Sequence, residues 1–330
     1  MNWGTSMRAL RIVRLWAAIL LPALAGSAVQ AQTDYPNKPV RIVVGFTPGS
    51  VADITARVLG ARMGQILGQS VIVENKPGAG SNLAAEFVVR SAKDGYTLFL
   101  PGSANIANAA INPNLPFDII KDFAPIALVN VVSVILVVHP SLGVNNVQEL
   151  IALAKSKPGD LSYASTGIGS APHFSGELFM QRTGAKLVHV PYQGSPQAAT
   201  DLLAARVQVM FSPATAVISL VQDGRLKVLA SSGSKRPSIL PDVPTMIESG
   251  MPDFDTAIWF GLAAPAGTPR DVVDKLSSAV REAVKSNEVV GAWRPQGVDP
   301  LDGGADDMAR LEASELKRWS DVATAAGLKK

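Results

Sequence analysis

The chain contains no cysteine in its 330 residues. That excludes disulfides, thiolate nucleophiles and a lipid carried on an N-terminal cysteine. Histidine is scarce as well: His139, His173 and His189 are the three, and their spacing matches no metal-ligand pattern. Charged residues make up 17% of the chain, below the ~25% usual for globular proteins. Long apolar runs are missing beyond residue 31. The nearest, Val129 to His139, falls far short of the ~20 residues a spanning helix needs. The phosphate-binding Gly-x-x-x-x-Gly-Lys-Ser/Thr and the hydrolase Gly-x-Ser-x-Gly do not occur. Gly78-Ala79-Gly80 follows a strand-like run, but Leu83 stands where a dinucleotide fingerprint needs its third glycine. Gly167-Ile168-Gly169 has Pro172 at that place. No cofactor and no metal is therefore expected, and nothing singles out a catalytic residue, although a Ser/His/Asp triad assembled from distant positions stays open.

The first 31 residues read as a secretion signal. Arg8, Arg11 and Arg14 give a basic start, Leu15 to Ala28 is apolar, and Val29-Gln30-Ala31 ends on a small residue. A start at Met7 would give a shorter leader. Pro22 and Gly26 interrupt the apolar stretch, which argues against a membrane anchor. The formal charge of +3 lies wholly in this segment, since the rest carries 27 basic and 27 acidic residues. A nucleic-acid partner is not expected from so balanced a chain. Export without disulfides suits the bacterial periplasm.

Beyond the leader, strand-like and helix-like runs alternate. Val40–Val44 reads as a strand and 53–67 as a helix, with Ile54, Val58, Leu59, Met63 and Ile66 on one face. Further strands are expected at 71–73, 97–100, 131–138, 162–164, 187–190, 207–211, 226–230 and 258–263. Helices are expected at 82–91, 147–155, 171–183, 196–205, 214–222, 270–285 and about 305–325. Such alternation predicts an α/β chain whose largely parallel sheets are flanked by helices. There are too many units for one small sheet, so two lobes with a cleft between them is the economical arrangement. Ligands in such folds sit beyond the carboxyl ends of the strands.

Three strand-to-helix turns share one chemistry: TPGSVAD at 47–53, NKPGAGSN at 75–82 and STGIGSAPH at 165–173. Glycine lets a backbone approach a ligand, and the free N–H groups at a helix start favour a carboxylate or phosphate. Helix capping explains each turn singly without a ligand. Ser50-Val51-Ala52-Asp53 fits a capping box, and Ser81 and Ser170 stand at cap positions. His173 follows the third turn closely enough to cap or orient it, or to touch a ligand. Tyr192 and Gly194 lie at a strand end, where a side chain could either close a cleft or pack.

Taken in order, YPNKPVRIVVGFTPG, VIVENKPGAGSNLAAEFV, KDGYTLFL, LSYASTGIGSAPHFSGELF, VPYQGSPQAATDLL, RPSILPDVPTMIESG and WFGLAAPAGTP resemble the substrate-binding proteins of tripartite tricarboxylate transporters, the Bug-type receptors. The resemblance covers essentially the whole chain after the leader. It implies a two-lobed type II periplasmic binding-protein fold, with lobe 1 at about 32–132 plus 255–330 and lobe 2 at about 133–254. It also implies a monomeric, non-enzymatic receptor that closes on a small organic carboxylate and delivers it to a tripartite permease. A periplasmic hydrolase or transferase on the same scaffold is the alternative, as is a sensing partner of a membrane kinase. Carried over by position, the ligand-binding residues are Phe46, Gly49, Ser50 and Asp53 in the first turn, Gly80 and Ser81 in the second, and Ser103 after the third strand. The opposing lobe supplies Ser165, Gly169, Ser170 and His173, with Tyr192 and Gly194 beside them. The chain departs from the family pattern in two places. Ser50-Val51-Ala52 replaces a more glycine-rich first loop, and Ser212-Pro213 stands where many relatives carry an acid.

Overall fold

The computed structural model describes residues 35–328, so the leader expected at residues 1–31 lies outside the described residues. The chain begins its first sheet with β1 (Val40–Val44), whose residues are buried except Arg41. α1 (Val51–Leu67), β2 (Val71–Asn75), α2 (Asn82–Val89), β3 (Thr97–Phe99), α3 (Ser103–Ile111) and β4 (Phe123–Val132) follow. One residue later the chain enters a second sheet with β5 (Val134–Val138). It continues through α4 (Val147–Ser156), β6 (Ser162–Ser165), α5 (Ala171–Thr183), β7 (Val188–Pro191), α6 (Ser195–Leu203), β8 (Val209–Pro213), α7 (Ala214–Gln222) and β9 (Lys227–Ser231). It then returns to the first sheet with β10 (Ile258–Pro265), α8 (Arg270–Ala283), α9 (Asn287–Trp293), β11 (Val298–Gly304) and α10 (Ala305–Ala325).

The first sheet runs β11-β4-β10-β3-β1-β2 and the second β7-β6-β8-β5-β9. Both follow one plan. In the first, β1 is parallel to β2 and β3, and β10 is inserted antiparallel between β3 and β4. In the second, β6 is parallel to β7 and β8, and β5 is inserted antiparallel between β8 and β9. In each sheet the inserted strand is the one that follows a crossing from the other. β1, parallel to both its neighbours, and β5, antiparallel to both of its own, carry buried aliphatic runs, as strands covered on both faces must, whereas β2 and β7 at the sheet edges are partly exposed. The chain from Lys38 onward forms one unit by contact. A single apolar cluster joins Val43 and Phe99 of the first sheet to Tyr163 and Phe211 of the second. Behind it, Phe174 of α5 meets Trp319 of α10 at 5.0 Å between rings.

Several expectations need correction. The run 131–138 is not one strand: Val132 and Val134 belong to different sheets, and Ser133 between them is the crossing. Strand and crossing share one apolar composition, so periodicity could not separate them. β11, with Pro300 and two glycines, carries no strand pattern and has no assignment from sequence, yet it is held as an edge strand against β4. α3 and α9 are too rich in small and polar residues to show a face. α1 starts at Val51, two residues before the expected position.

Candidate functional site

The first turn, between β1 and α1, is fixed by Asp53. Its carboxylate accepts the Gly49 N–H at 2.9 Å, the Asn75 amide at 2.8 Å and the Arg57 Nε at 3.0 Å. Burial pushes the Asp53 pKa up, but the Arg57 guanidinium, the Gly49 N–H and the Asn75 amide outweigh it and hold the acid below the ordinary carboxylate range. Asn75, at the end of β2, also donates to the Phe46 carbonyl at 3.0 Å. Ser50 caps α1 by accepting the Asp53 N–H at 3.3 Å. Only half of the capping box read from the sequence forms: Ser50 caps Asp53, but the Ser50 N–H goes to the Thr47 carbonyl and the Asp53 carboxylate consumes the Gly49 amide that a ligand could otherwise use.

The second turn behaves differently. Gly78, Ala79, Gly80 and Ser81 all have positive φ, from 48° to 138°. For Ala79 and Ser81 such a backbone costs ~1–3 kcal/mol each, and it persists only where the surroundings impose it. Ser81 forms no capping hydrogen bond, and its buried hydroxyl has no partner. It lies against Gly45: a Cβ there would stand 1.9 Å from Ser81 Oγ, so the first and second turns touch. Asn108 of α3 donates to the Gly80 carbonyl at 3.2 Å. At the start of α3, the Ser103 hydroxyl is also buried without a partner. Ser81 follows β2 and Ser103 follows β3, the two strands that flank β1.

The third turn is built around a ring stack. His189 lies between Tyr163, with ring centres 4.8 Å apart, and His173, at 4.2 Å. Ser165 Oγ is 2.7 Å from His189 Nε2 and accepts the Gly167 N–H at 3.2 Å. Ser170 donates to the Gly167 carbonyl at 2.6 Å and caps α5 by accepting the His173 N–H. Gly169 donates its N–H to His173 Nδ1 at 3.1 Å, which leaves the ring proton on Nε2, facing Glu177 at 3.6 Å. Burial, with His189 adding to it, pulls the His173 pKa down to about 4, so the ring is neutral at pH 7. Tyr192 packs on its own lobe and donates its hydroxyl to Asp201 at 2.8 Å. Burial and Asp201 push its pKa up to about 12. Gly194 is the N-cap of α6, with φ 123°.

The turns come together in pairs. Gly45 abuts Ser81, Asn108 ties the second turn to α3, and a Cβ on Gly169 would stand 3.2 Å from Ile111 at the far end of α3. A cavity of about 220 Å³ joins Gly49, Val51, Ile54 and Thr55 of the first lobe to Thr215 of α7. A larger cavity of about 510 Å³ lies at the two crossings, lined by Ser133, Asp255, Trp259 and Glu315 among others, and touches none of the expected ligand residues. Of the expected ligand residues Gly49 lines the smaller cavity, and Ser81 and Ser103 line neither of the two. Sequence reasoning missed Asn75, Asn108 and His189, which hold the turns. It also missed Thr55, Thr215 and Trp293, which line the smaller cavity. Asn75 stood within the quoted second motif, whereas nothing local marks Thr215 or Trp293. Among the described residues no group of histidines and acids is placed to hold a metal, and no helix is long and apolar enough to cross a membrane.

Two sheets of matching strand order, joined by two crossings, define a two-lobed binding protein. Comparison narrows the class. The profile of the tripartite tricarboxylate transporter family receptor matches residues 55–328. BugT of Bordetella pertussis is 36% identical over 324 residues, covering 97% of this chain and 99% of that protein. An R. palustris protein solved with adipate is 34% identical with a TM-score of 0.77, covering 89% of this chain and 98% of that one. MatC from Rhodopseudomonas palustris, with bound malate, is 32% identical with a TM-score of 0.73, covering 87% and 99%. The chain belongs to the tripartite tricarboxylate transporter receptor family, whose members are receptors rather than enzymes.

Proposed function

We propose that this protein is a periplasmic receptor that captures a small organic carboxylate between lobes at about 32–132 plus 255–330 and about 133–254, then delivers it to a tripartite permease. Residues 1–31 serve as its export signal, and it acts as a monomer. The observation that carries the reading is the pair of buried hydroxyls, Ser81 and Ser103, left without partners beyond two strands that flank β1. An unpartnered buried hydroxyl costs ~1–3 kcal/mol, which a ligand oxygen would recover. The strained second turn holds one of the two in place. Relatives of the same fold solved with adipate and malate support an acid as the ligand.

The test is to purify the exported protein, identify what co-purifies by mass spectrometry, and measure the melting temperature with candidate carboxylates. A ligand at 100 times its Kd adds ~2.7 kcal/mol of stability without turnover. Ser103→Ala should reduce that gain while leaving the unliganded melting temperature nearly unchanged. If no carboxylate stabilises the wild-type protein, the reading fails. Uptake into membrane vesicles that contain the cognate permease should require the receptor.

A further inference from the structure

The smaller cavity has a composition of its own. Its walls are Val51, Ile54, Val298 and the indole of Trp293, with the hydroxyls of Thr55 and Thr215 and the amide of Gln296 between them. No charged side chain lines it. Its 220 Å³ is roughly seven water volumes, room for a short chain or a single ring. Two donors await an acceptor. Trp293 is fully buried, and its Nε1–H has no partner. Thr55 Oγ1 accepts from Asn130 Nδ2 at 2.9 Å, which leaves its own proton to give. Indole N–H can only donate, so an uncharged oxygen satisfies it where an ammonium could not.

A second anion is disfavoured there. Asp53, in the same first turn of α1 as Val51 and Ile54, is ionised and already uses Gly49, Asn75 and Arg57. A carboxylate brought to this end would find no cation on the cavity wall and a like charge nearby.

We infer that this cavity receives the non-carboxylate end of the ligand, and that this end is an uncharged chain or ring carrying a hydroxyl or keto oxygen, so that the protein selects monocarboxylates over dicarboxylates. The inference rests on the carboxylate-receptor reading and names the substrate class within it. Its structural basis is Trp293 and Thr55 on one side and Thr215 of the opposing lobe on the other, so a correct tail would bridge the lobes as they close.

Calorimetry on the exported protein with matched acids tests it. The sets are butyrate, 4-hydroxybutyrate and succinate; hexanoate, 6-hydroxyhexanoate and adipate; and benzoate, 4-hydroxybenzoate and terephthalate. In the best-fitting set the hydroxy acid should bind at least ~tenfold tighter than the diacid, because the diacid buries an unpaired charge. Trp293→Phe should weaken the hydroxy acid more than its parent acid and so erase the advantage between them, about three- to tenfold for one hydrogen bond. Val51→Lys tests the same idea by gain. It puts a cation on the wall at a partly exposed position and should move the preference toward the diacid. A wild-type protein that binds a diacid tightest, or a hydroxyl preference untouched by Trp293→Phe, overturns the inference and leaves the carboxylate receptor standing. Failure of every acid in every set removes both.

Discussion

His173 Nδ1 accepts the Gly169 N–H at 3.1 Å, and this bond spans the third turn and the first turn of α5. The acceptor lone pair exists only on the neutral ring. His173 is 2% exposed and stacks on His189, which leaves little room to relieve a charge. The turn that faces Ile111 of the opposite lobe is thus held by a group that loses its acceptor when protonated.

A pH dependence follows. The His173 pKa falls from 6.5 unfolded to about 4 folded, so its contribution is fully present above 6.5 and is lost as pH falls toward 4. Glu312 and Glu315 of α10 act in the opposite sense. Burial raises Glu312 to about 8, and burial raises Glu315 to about 7 against the pull of Arg318 and Trp259. Their contribution is present below 4.5 and is lost as pH rises through those values. Between about pH 4.5 and 6.5 the slopes oppose, each at roughly 1.4 kcal/mol per pH unit. His173→Asn keeps an acceptor without the titration, so stability should then fall more steeply with rising pH. Glu312→Gln should tilt the profile the other way. Urea unfolding from pH 4.5 to 8 reads both slopes, and parallel profiles for the two variants would contradict the assignment.

The Asp53–Arg57 pair should prove asymmetric. The Asp53 carboxylate is 4% exposed and anchors Gly49 and Asn75, whereas the Arg57 side chain is 53% exposed. Asp53→Ala should cost about 2 kcal/mol or more, because it strands two donors and frees the turn. Arg57→Ala should cost less, since solvent screens the half-exposed guanidinium and Asp53 keeps the Gly49 and Asn75 donors. Chemical denaturation of the two variants at pH 7 decides, and equal losses would mean that the ion pair, not the turn, is what Asp53 supports.

How much of this could be read from the chain depends on which residues carry local signals. Ser50 and Ser170 were legible as caps because a cap is a contact across three residues. Their turns were legible because glycine marks a backbone position directly. His173 was legible as an orienter for the same reason, lying four residues from Gly169. Asn75 to Phe46 spans 29 residues, and Asn130 to Thr55 spans 75. No periodicity reports such pairs. The separation of β4 from β5 at Ser133 is a tertiary event within one apolar run, so pattern merged what topology divides. Thr215 and Trp293 enter the cleft only because the two crossings bring α7 and α9 to α1, and nothing in their neighbours announces it.

The second turn yields the sharpest prediction, because stability and binding should move in opposite directions. Ser81 holds φ at 77°, a region that glycine enters freely and serine does not. Its hydroxyl occupies the place where Gly45 would carry a Cβ. Ser81→Gly should therefore stabilise the unliganded protein by roughly 1 kcal/mol, while losing a hydrogen-bond donor and weakening carboxylate binding by a similar amount. Gly45→Ala should destabilise by ~1–3 kcal/mol through overpacking. The double variant should recover only part of that loss, since removing the serine side chain clears Oγ and Cβ but leaves the Cα of residue 81 2.5 Å from the new methyl. A thermal-melt cycle over the four proteins measures the coupling, and calorimetry on the same four measures affinity. Additive melting shifts would mean that the two turns do not touch. A Ser81→Gly protein that binds as tightly as wild type would take the Ser81 hydroxyl out of the site.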